Sequence, residues 1–292
     1  MTRRAKALAL AAGAGGALGL TAFGIGSWLT APAHRAVGPP PDDLGAEAVR
    51  IPSASGASLA GWFVPAGAGP RGGVVLLHGV GADRESQVDR ARLFRDAGYA
   101  VLLFDFQAHG ESRGRQISFG WTERHDAVAA VAWLRERVPG APIAAVGQSM
   151  GGAAALYAGP ALGADALVVE AVYGSIAEAT ANRLAMRLGD RSRRLAPLLT
   201  GQMGLRLGAS SATLSPAEAV RRVAAPILVA GGTADRRATP AEVRRIHANA
   251  PEPKALWMLD GAAHEDFYAA APAAYRAAVL GWLARTLEGD AS

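Results

Sequence analysis

From about residue 46 the chain alternates between two periods. Six short, near-continuous apolar runs begin at Gly73 (G-V-V-L-L-H), Tyr99 (Y-A-V-L-L-F-D), Pro142 (P-I-A-A-V-G), Ala166 (A-L-V-V-E), Pro226 (P-I-L-V-A-G) and Ala255 (A-L-W-M-L-D). Their length and lack of alternation fit strands buried on both faces. Between them lie stretches of helical spacing, such as R-E-S-Q-V-D-R-A-R-L-F-R-D-A-G, which ends on a capping glycine, and W-T-E-R-H-D-A-V-A-A-V-A-W-L-R-E-R-V. Ahead of them, E-A-V-R-I-P-S and A-S-L-A-G-W-F-V flank the turn-like A-S-G and predict an antiparallel hairpin. This order predicts a mostly parallel, doubly wound α/β sheet with an opening hairpin, whose ligands sit at the carboxyl ends of the strands.

Two segments depart from the alternation. Between Tyr173 and Ser215 the connection is longer than a crossover needs, and Leu184, Met186, Leu188, Leu195, Leu198, Leu199, Met203 and Leu205 recur among arginines. Either a small helical cap (173–215) lines an acyl pocket, or these are ordinary helices packed on the sheet. At the other end, M-T-R-R-A-K precedes an uncharged stretch from Ala7 to Leu29, near the ~20 residues that span a bilayer. The length favours an uncleaved anchor within residues 1–33. Ala31-Pro32-Ala33 offers the alternative of a cleaved signal, and the glycine-rich, weakly apolar composition leaves a buried helix as a third reading. Arg3, Arg4 and Lys6 place the N-terminus in the cytoplasm and the domain outside it, membrane-anchored or, after cleavage, secreted or periplasmic. Residues 34–45 read as a proline-rich tether, and 46–292 as the catalytic domain.

Composition narrows the chemistry. Half of the residues are hydrophobic and 19% charged, which fits a globular domain. Of the 30 basic residues all but Lys6 and Lys254 are arginines, scattered in pairs rather than clustered, which argues against nucleic-acid binding. Absence of cysteine removes thiol nucleophiles and disulfides, and no histidine spacing suits a metal. No cofactor is called for.

The pattern G-x-S-x-G occurs twice, around Ser149 (G-Q-S-M-G-G) and around Ser112 (G-E-S-R-G). A nucleophilic hydroxyl has to be held on a sharp strand-to-helix turn, where Gly147 and Gly151 remove Cβ atoms that would collide. Ser149 joins a strand directly to a helical run; Ser112 sits in R-G-R-Q-I-S-F-G surroundings with neither, and reads as a loop serine. Asp235 follows the strand P-I-L-V-A in G-G-T-A-D, and His264 follows A-L-W-M-L-D in D-G-A-A-H. A serine needs a base to take its proton and the base needs a carboxylate to fix its tautomer, so the three form a complete set on one rim.

With H-G-V-G after the third strand, D-F-Q-A-H-G-E-S after the fourth, G-Q-S-M-G-G, G-G-T-A-D and G-A-A-H, residues 46 to 287 resemble serine hydrolases of the α/β-hydrolase superfamily. The short cap and apolar N-terminal segment resemble the membrane-associated BEM46-like esterases. The resemblance implies the α/β-hydrolase fold, an oxyanion hole from the backbone N–H groups of Val80 and Met150, and loop-holding roles for His78 and His109. It keeps Glu170 as a rival acid, since some members carry the carboxylate after that strand. Asp260 and Asp266, flanking the histidine, read as turn and surface residues. The expected activity is cleavage of small-molecule carboxylic esters through an acyl-enzyme. Amidase, peptidase, thioesterase and acyltransferase chemistry on the same residues are alternatives, as is a non-catalytic binding module of the same fold. The oligomeric state is not legible.

Overall fold

The structure, a computed structural model, describes residues 2–67 and 69–287; the end of the expected domain, 288–292, lies outside the described residues. Each apolar run is a strand. They are β1 (Glu47–Pro52), β2 (Ser58–Val64), β3 (Gly73–Leu77), β4 (Ala100–Phe104), β5 (Ile143–Gln148), β6 (Ala166–Glu170), β7 (Ile227–Gly232) and β8 (Lys254–Leu259), in the spatial order 1-2-4-3-5-6-7-8. β1 and β2 form the expected hairpin, β2 runs antiparallel to β4, and β3 to β8 are all parallel. This is the α/β-hydrolase fold.

Period-2 side-chain geometry divides each strand between two cores. Val75, Leu77, Ala145 and Val169 face one apolar cluster, with Ala130, Val131 and Leu134 of the helix Glu123–Arg137 and Ala153 to Tyr157 of the helix Met150–Ala158. Val74, Leu76, Val146 and Val168 face the other, with Leu93 and Phe94 of the helix Val88–Asp96, Trp282 and Leu283. Helices on both faces bury β3 to β7, which is why those strands carry no polar alternation, while the edge strand β8 is only half-buried. Leu77 pairs with Gly147 and Gln148 with Glu170, so β3, β5 and β6 end level.

Residues 34–45 are not the free tether expected from their prolines. Ala33 and His34 pair in parallel with His109 and Gly110. Arg35 forms ion pairs with Asp83 and Glu85, and Glu111 accepts the N–H groups of Val37 (3.1 Å) and Gly38 (3.3 Å). The Arg84 guanidinium, first, and these N–H groups hold the Glu111 carboxyl down at about 2. Val37 and Leu44 are buried. Proline stiffens the segment, but the residues between the prolines have partners on the domain.

The N-terminal stretch forms a helix, Arg3–Leu29. Among the described residues no helix is long and apolar enough to cross a membrane. Its last turns rest on the cap: Gln202 Nε2 donates to Ala22 O at 3.0 Å, Arg206 donates to Phe23 O and to Ser27 Oγ (3.1 Å), and its guanidinium lies 4.1 Å above the Phe23 ring. The cap comprises the helix Ile176–Leu188, capped by Ser175, a 3-10 turn Asp190–Leu195, and short helices Ala196–Thr200 and Met203–Leu207. Leu199 and Met203 are buried, but Met186, Leu188, Leu195, Leu198 and Leu205 are exposed. Those five are therefore not packed on the sheet, a departure from the reading of this segment as ordinary packing helices.

Candidate active site

Ser149 stands between the last residue of β5 and Met150, the first of the following helix, with φ 51° and ψ −111°. An L-residue adopts such a conformation only where its surroundings over-determine it. Here they do. The Ser149 N–H donates to Glu170 O (2.8 Å) and its carbonyl accepts from Ala153 N (2.9 Å). A Cβ on Gly147 would lie 2.6 Å from Gly152 N, one on Gly152 would lie 2.5 Å from Val172 Cγ2, and one on Gly151 would collide with Leu77 O. The glycines let the helix fold back on its own strand and on β3. Ser149 is buried, and its Oγ makes no hydrogen bond among the described residues.

The turns after β7 and β8 are laced together. Ala234 N donates to Ala262 O (2.9 Å), Gly261 N to Thr233 Oγ1 (2.8 Å), and Thr233 Oγ1 to Asp260 Oδ1 (2.9 Å), which fixes Asp260 as a turn residue. Their close approach depends on Gly232, where a Cβ would meet Ala262 O. The turns bring Asp235 and His264 together, with Oδ2 2.7 Å from Nδ1. Oδ1 accepts from Arg237 N (2.7 Å) and Ala238 N (3.0 Å), so the buried carboxylate cannot swing away. With Nδ1 donating to Asp235, Nε2 is the ring's acceptor, the tautomer a general base requires. Gln148 Nε2 donates to Glu265 O (3.2 Å), tying the end of β5 to the histidine loop.

Val80 and Met150 flank the serine. Met150 opens its helix, so its N–H has no acceptor within it. Gly79 approaches the serine closely, since a Cβ on it would lie 3.8 Å from Ser149 Cβ, and exposed Val80 follows. The buried His78 ring holds this turn: Nδ1 bonds Gly79 O (2.8 Å) and Nε2 accepts from Phe106 N (3.0 Å). Burial, with His109 nearby, pushes its pKa down to about 3, which keeps it neutral. His109 is buried against it, ring centroids 5.1 Å apart, with Nδ1 3.0 Å from Gln107 O; burial lowers its pKa too. Ser112 is a structural serine: its buried Oγ donates to Asp105 O (2.7 Å) and accepts from Ala60 N (2.8 Å).

Glu170 is engaged elsewhere. Its side chain is buried, 2.8 Å from Arg90 and accepting from Tyr275 OH at 2.7 Å. Arg90 also reaches Asp266 (2.8 Å), which caps the short helix Phe267–Ala270 by accepting from Tyr268 N and Ala269 N. Burial works against the Asp266 charge, yet Arg90 overcomes it and holds the carboxyl below its ordinary range. Asp266 is thus more than the surface residue expected. One buried guanidinium joins the strand whose carbonyl holds the Ser149 N–H to the loop that carries His264. Sequence reading missed Arg90 because it sits in a helix rich in arginine; its one local signal is a place on the helix's apolar face, beside Ala91 and Phe94.

Comparison with known proteins agrees with the fold. A model of the serine aminopeptidase S33 family matches residues 68–215. Among curated proteins, the chain is 28% identical to uncharacterized protein YqkD of Bacillus subtilis, over 80% of this chain and 77% of that one. It is 31% identical to uncharacterized protein Rv2307c of Mycobacterium tuberculosis, over 75% and 72%. Among solved structures, an esterase of Pyrococcus furiosus superposes with a TM-score of 0.72 at 21% identity, over 89% of this chain and 98% of that one. A Xanthomonas campestris α/β serine hydrolase without a lid gives 0.58 at 20% identity, over 83% and 95%.

Proposed function

Because the chain belongs to the serine aminopeptidase S33 family of α/β hydrolases, we propose that it cleaves small-molecule carboxylic esters through an acyl-enzyme formed on Ser149. The observation that carries this reading is the His264–Asp235 hydrogen bond of 2.7 Å on the same rim as a serine held at positive φ. His264 Nε2 takes the hydroxyl proton as Ser149 Oγ attacks the ester carbonyl, and Asp235 stabilises the imidazolium that forms. The N–H groups of Val80 and Met150 receive the developing oxyanion, each worth about 3 kcal/mol where such donors have been removed from other enzymes. Imidazolium then protonates the departing alkoxide, and water repeats the sequence to release the acid. Esters are favoured over aminopeptidase substrates because two carboxylates near the histidine, Glu170 and Asp266, are bound to Arg90 and so are not free to receive a substrate ammonium.

A fluorophosphonate probe tests the nucleophile. The wild-type protein is expected to label, and Ser149→Ala to lose both labelling and ester hydrolysis; labelling retained in that variant would refute the assignment. Rates on matched ester, amide and thioester substrates then test the substrate class, a faster amide overturning the ester reading.

The N-terminal segment we assign to export, as a signal or a membrane-bound helix that leaves the domain outside the cytoplasm, in keeping with the BEM46-like resemblance, although the helix as folded on the domain is not long and apolar enough to cross a bilayer. The support is the uncharged stretch Ala7 to Leu29 behind Arg3, Arg4 and Lys6. Fractionation and N-terminal sequencing test it: a new terminus at His34 means a cleaved signal, and an intact chain found wholly in the cytosol contradicts both export readings.

A further inference from the structure

Val80 and Leu256 aside, the large apolar side chains exposed among the described residues all belong to the N-terminal helix or the cap. The most open are Leu205 (84% exposed), Leu20 (76%), Trp28 (72%) and Leu188 (68%). Scattered single exposures are ordinary, but concentration on two adjoining elements is not. The two are fastened together by Gln202 and Arg206, so their exposed apolar side chains lie on adjoining elements.

Charge in the same segment narrows what could cover it. Between Ile176 and Leu207 there are six arginines and two acids. Both acids are engaged, Glu178 with Arg245 at its edge and Asp190 with Arg193. Arg187, Arg191 and Arg194 are exposed and have no acidic partner among the described residues. Exposed leucines interleaved with arginines that lack an acidic partner among the described residues, next to a helix that exposes a tryptophan, are the composition of an interfacial element, whose apolar side chains enter the headgroup boundary while guanidinium groups meet lipid phosphates.

Helix length points the same way. Residues 22 to 27 are held against the cap by Gln202 and Arg206, and the uncharged residues before them, 7 to 21, make about 22 Å of helix, short of the ~30 Å hydrocarbon core. A helix held in this way cannot enter a bilayer while the cap stands clear of it. We propose that the cap and the C-terminal turns of the N-terminal helix together dock on an anionic lipid bilayer surface. The inference rests on the membrane assignment of that helix but not on the hydrolase chemistry, so its test is independent of turnover.

The chain has no cysteine, which permits single-site labelling. Full-length protein carrying Leu188→Cys, Leu205→Cys or, as control, Leu256→Cys is labelled with an environment-sensitive fluorophore and mixed with phosphatidylcholine vesicles, with and without phosphatidylglycerol. At the two cap sites, phosphatidylglycerol vesicles are expected to blue-shift the emission and doxyl-lipid to quench it at least two-fold, with no change at 256. Arg187→Gln with Arg191→Gln and Arg194→Gln should reduce the effect severalfold, as should raised salt. Flotation with vesicles while both cap probes stay in water would overturn the docking and leave the helix assignment standing; failure to bind vesicles would overturn both. A blue shift without lipid that grows with protein concentration would assign the face to a second copy instead.

Discussion

The rim at the strand ends and the helical segment 176–207 are built from opposite kinds of contact. On the rim, polar atoms are committed several times over: Asp235 is held by two backbone N–H groups and a histidine, and His78 bonds through both ring nitrogens. In that segment several of the largest apolar side chains are exposed, and Arg187, Arg191 and Arg194 have no acidic partner among the described residues. The chemistry proposed for the rim depends on sub-ångström geometry and would thus rest on the more heavily hydrogen-bonded of the two regions. What meets the surroundings is left to short helices whose outer side chains the fold does not constrain.

Substitutions should separate the two regions by orders of magnitude. Asp235→Asn is expected to lower kcat by on the order of 10³–10⁴-fold with little change in melting temperature, because it spoils the histidine tautomer without emptying space. Glu170→Gln should do the reverse. Breaking a buried pair with Arg90 costs about 3–5 kcal/mol of stability, while the backbone carbonyl that holds Ser149 remains. Paired measurement of kcat and urea unfolding checks both, and a larger kcat loss in the Glu170 variant would transfer the acid role to it.

A smaller effect is expected from pH. Asp126 is buried beneath the rim, accepting from Ser53 Oγ (2.5 Å) and Gln107 N (2.9 Å), and burial nevertheless pushes its carboxyl up to about 6. A folded-state pKa above the unfolded one means that the native state keeps a proton the unfolded chain has released. The stability this group contributes is therefore fullest below about pH 4 and declines as pH rises to about 6, by about 3 kcal/mol at most. Urea unfolding of wild type and Asp126→Asn across that window should give a difference that changes with pH; a constant difference would contradict the assignment.

The smallest change belongs to the cap. Leu188→Ser or Leu205→Ser should alter stability by no more than about 0.5 kcal/mol, since exposed side chains have little burial to lose. A drop in melting temperature comparable to that of Glu170→Gln would mean that these leucines are packed in solution.

Most of this division was legible before the fold was known, but only on the rim side. Apolar runs bounded by Gly and Pro marked every strand of the main sheet, and residues just past strand ends were a short list in which Ser149, Asp235 and His264 stood out. Arg90 was not legible, because nothing local tells a helical arginine that its partner Asp266 lies 176 positions away. Cap orientation was not legible either. Spacing shows which leucines share a helix face, whereas which face is covered depends on neighbours. The segment 34–45 misled for a similar reason: prolines report stiffness, and say nothing of whether Val37 and Leu44 find a place to sit.

The backbone at Ser149 has one more consequence. A φ of 51° with ψ near −111° suits glycine far better than any residue with a side chain, and such strain costs on the order of 1–3 kcal/mol. Replacing the serine by glycine should therefore give a sturdier protein than replacing it by alanine, which keeps the Cβ; urea midpoints for the two variants would show it, and an equal or lower midpoint for glycine would deny the strain. A breeding programme that rewarded heat resistance alone would discard this hydroxyl early. Ala108, Phe119 and Ala171 share the positive φ, but on the mechanism proposed above Ser149 is the member of that set whose relief would leave an inert scaffold, so screens for robustness in this chain must watch turnover as well.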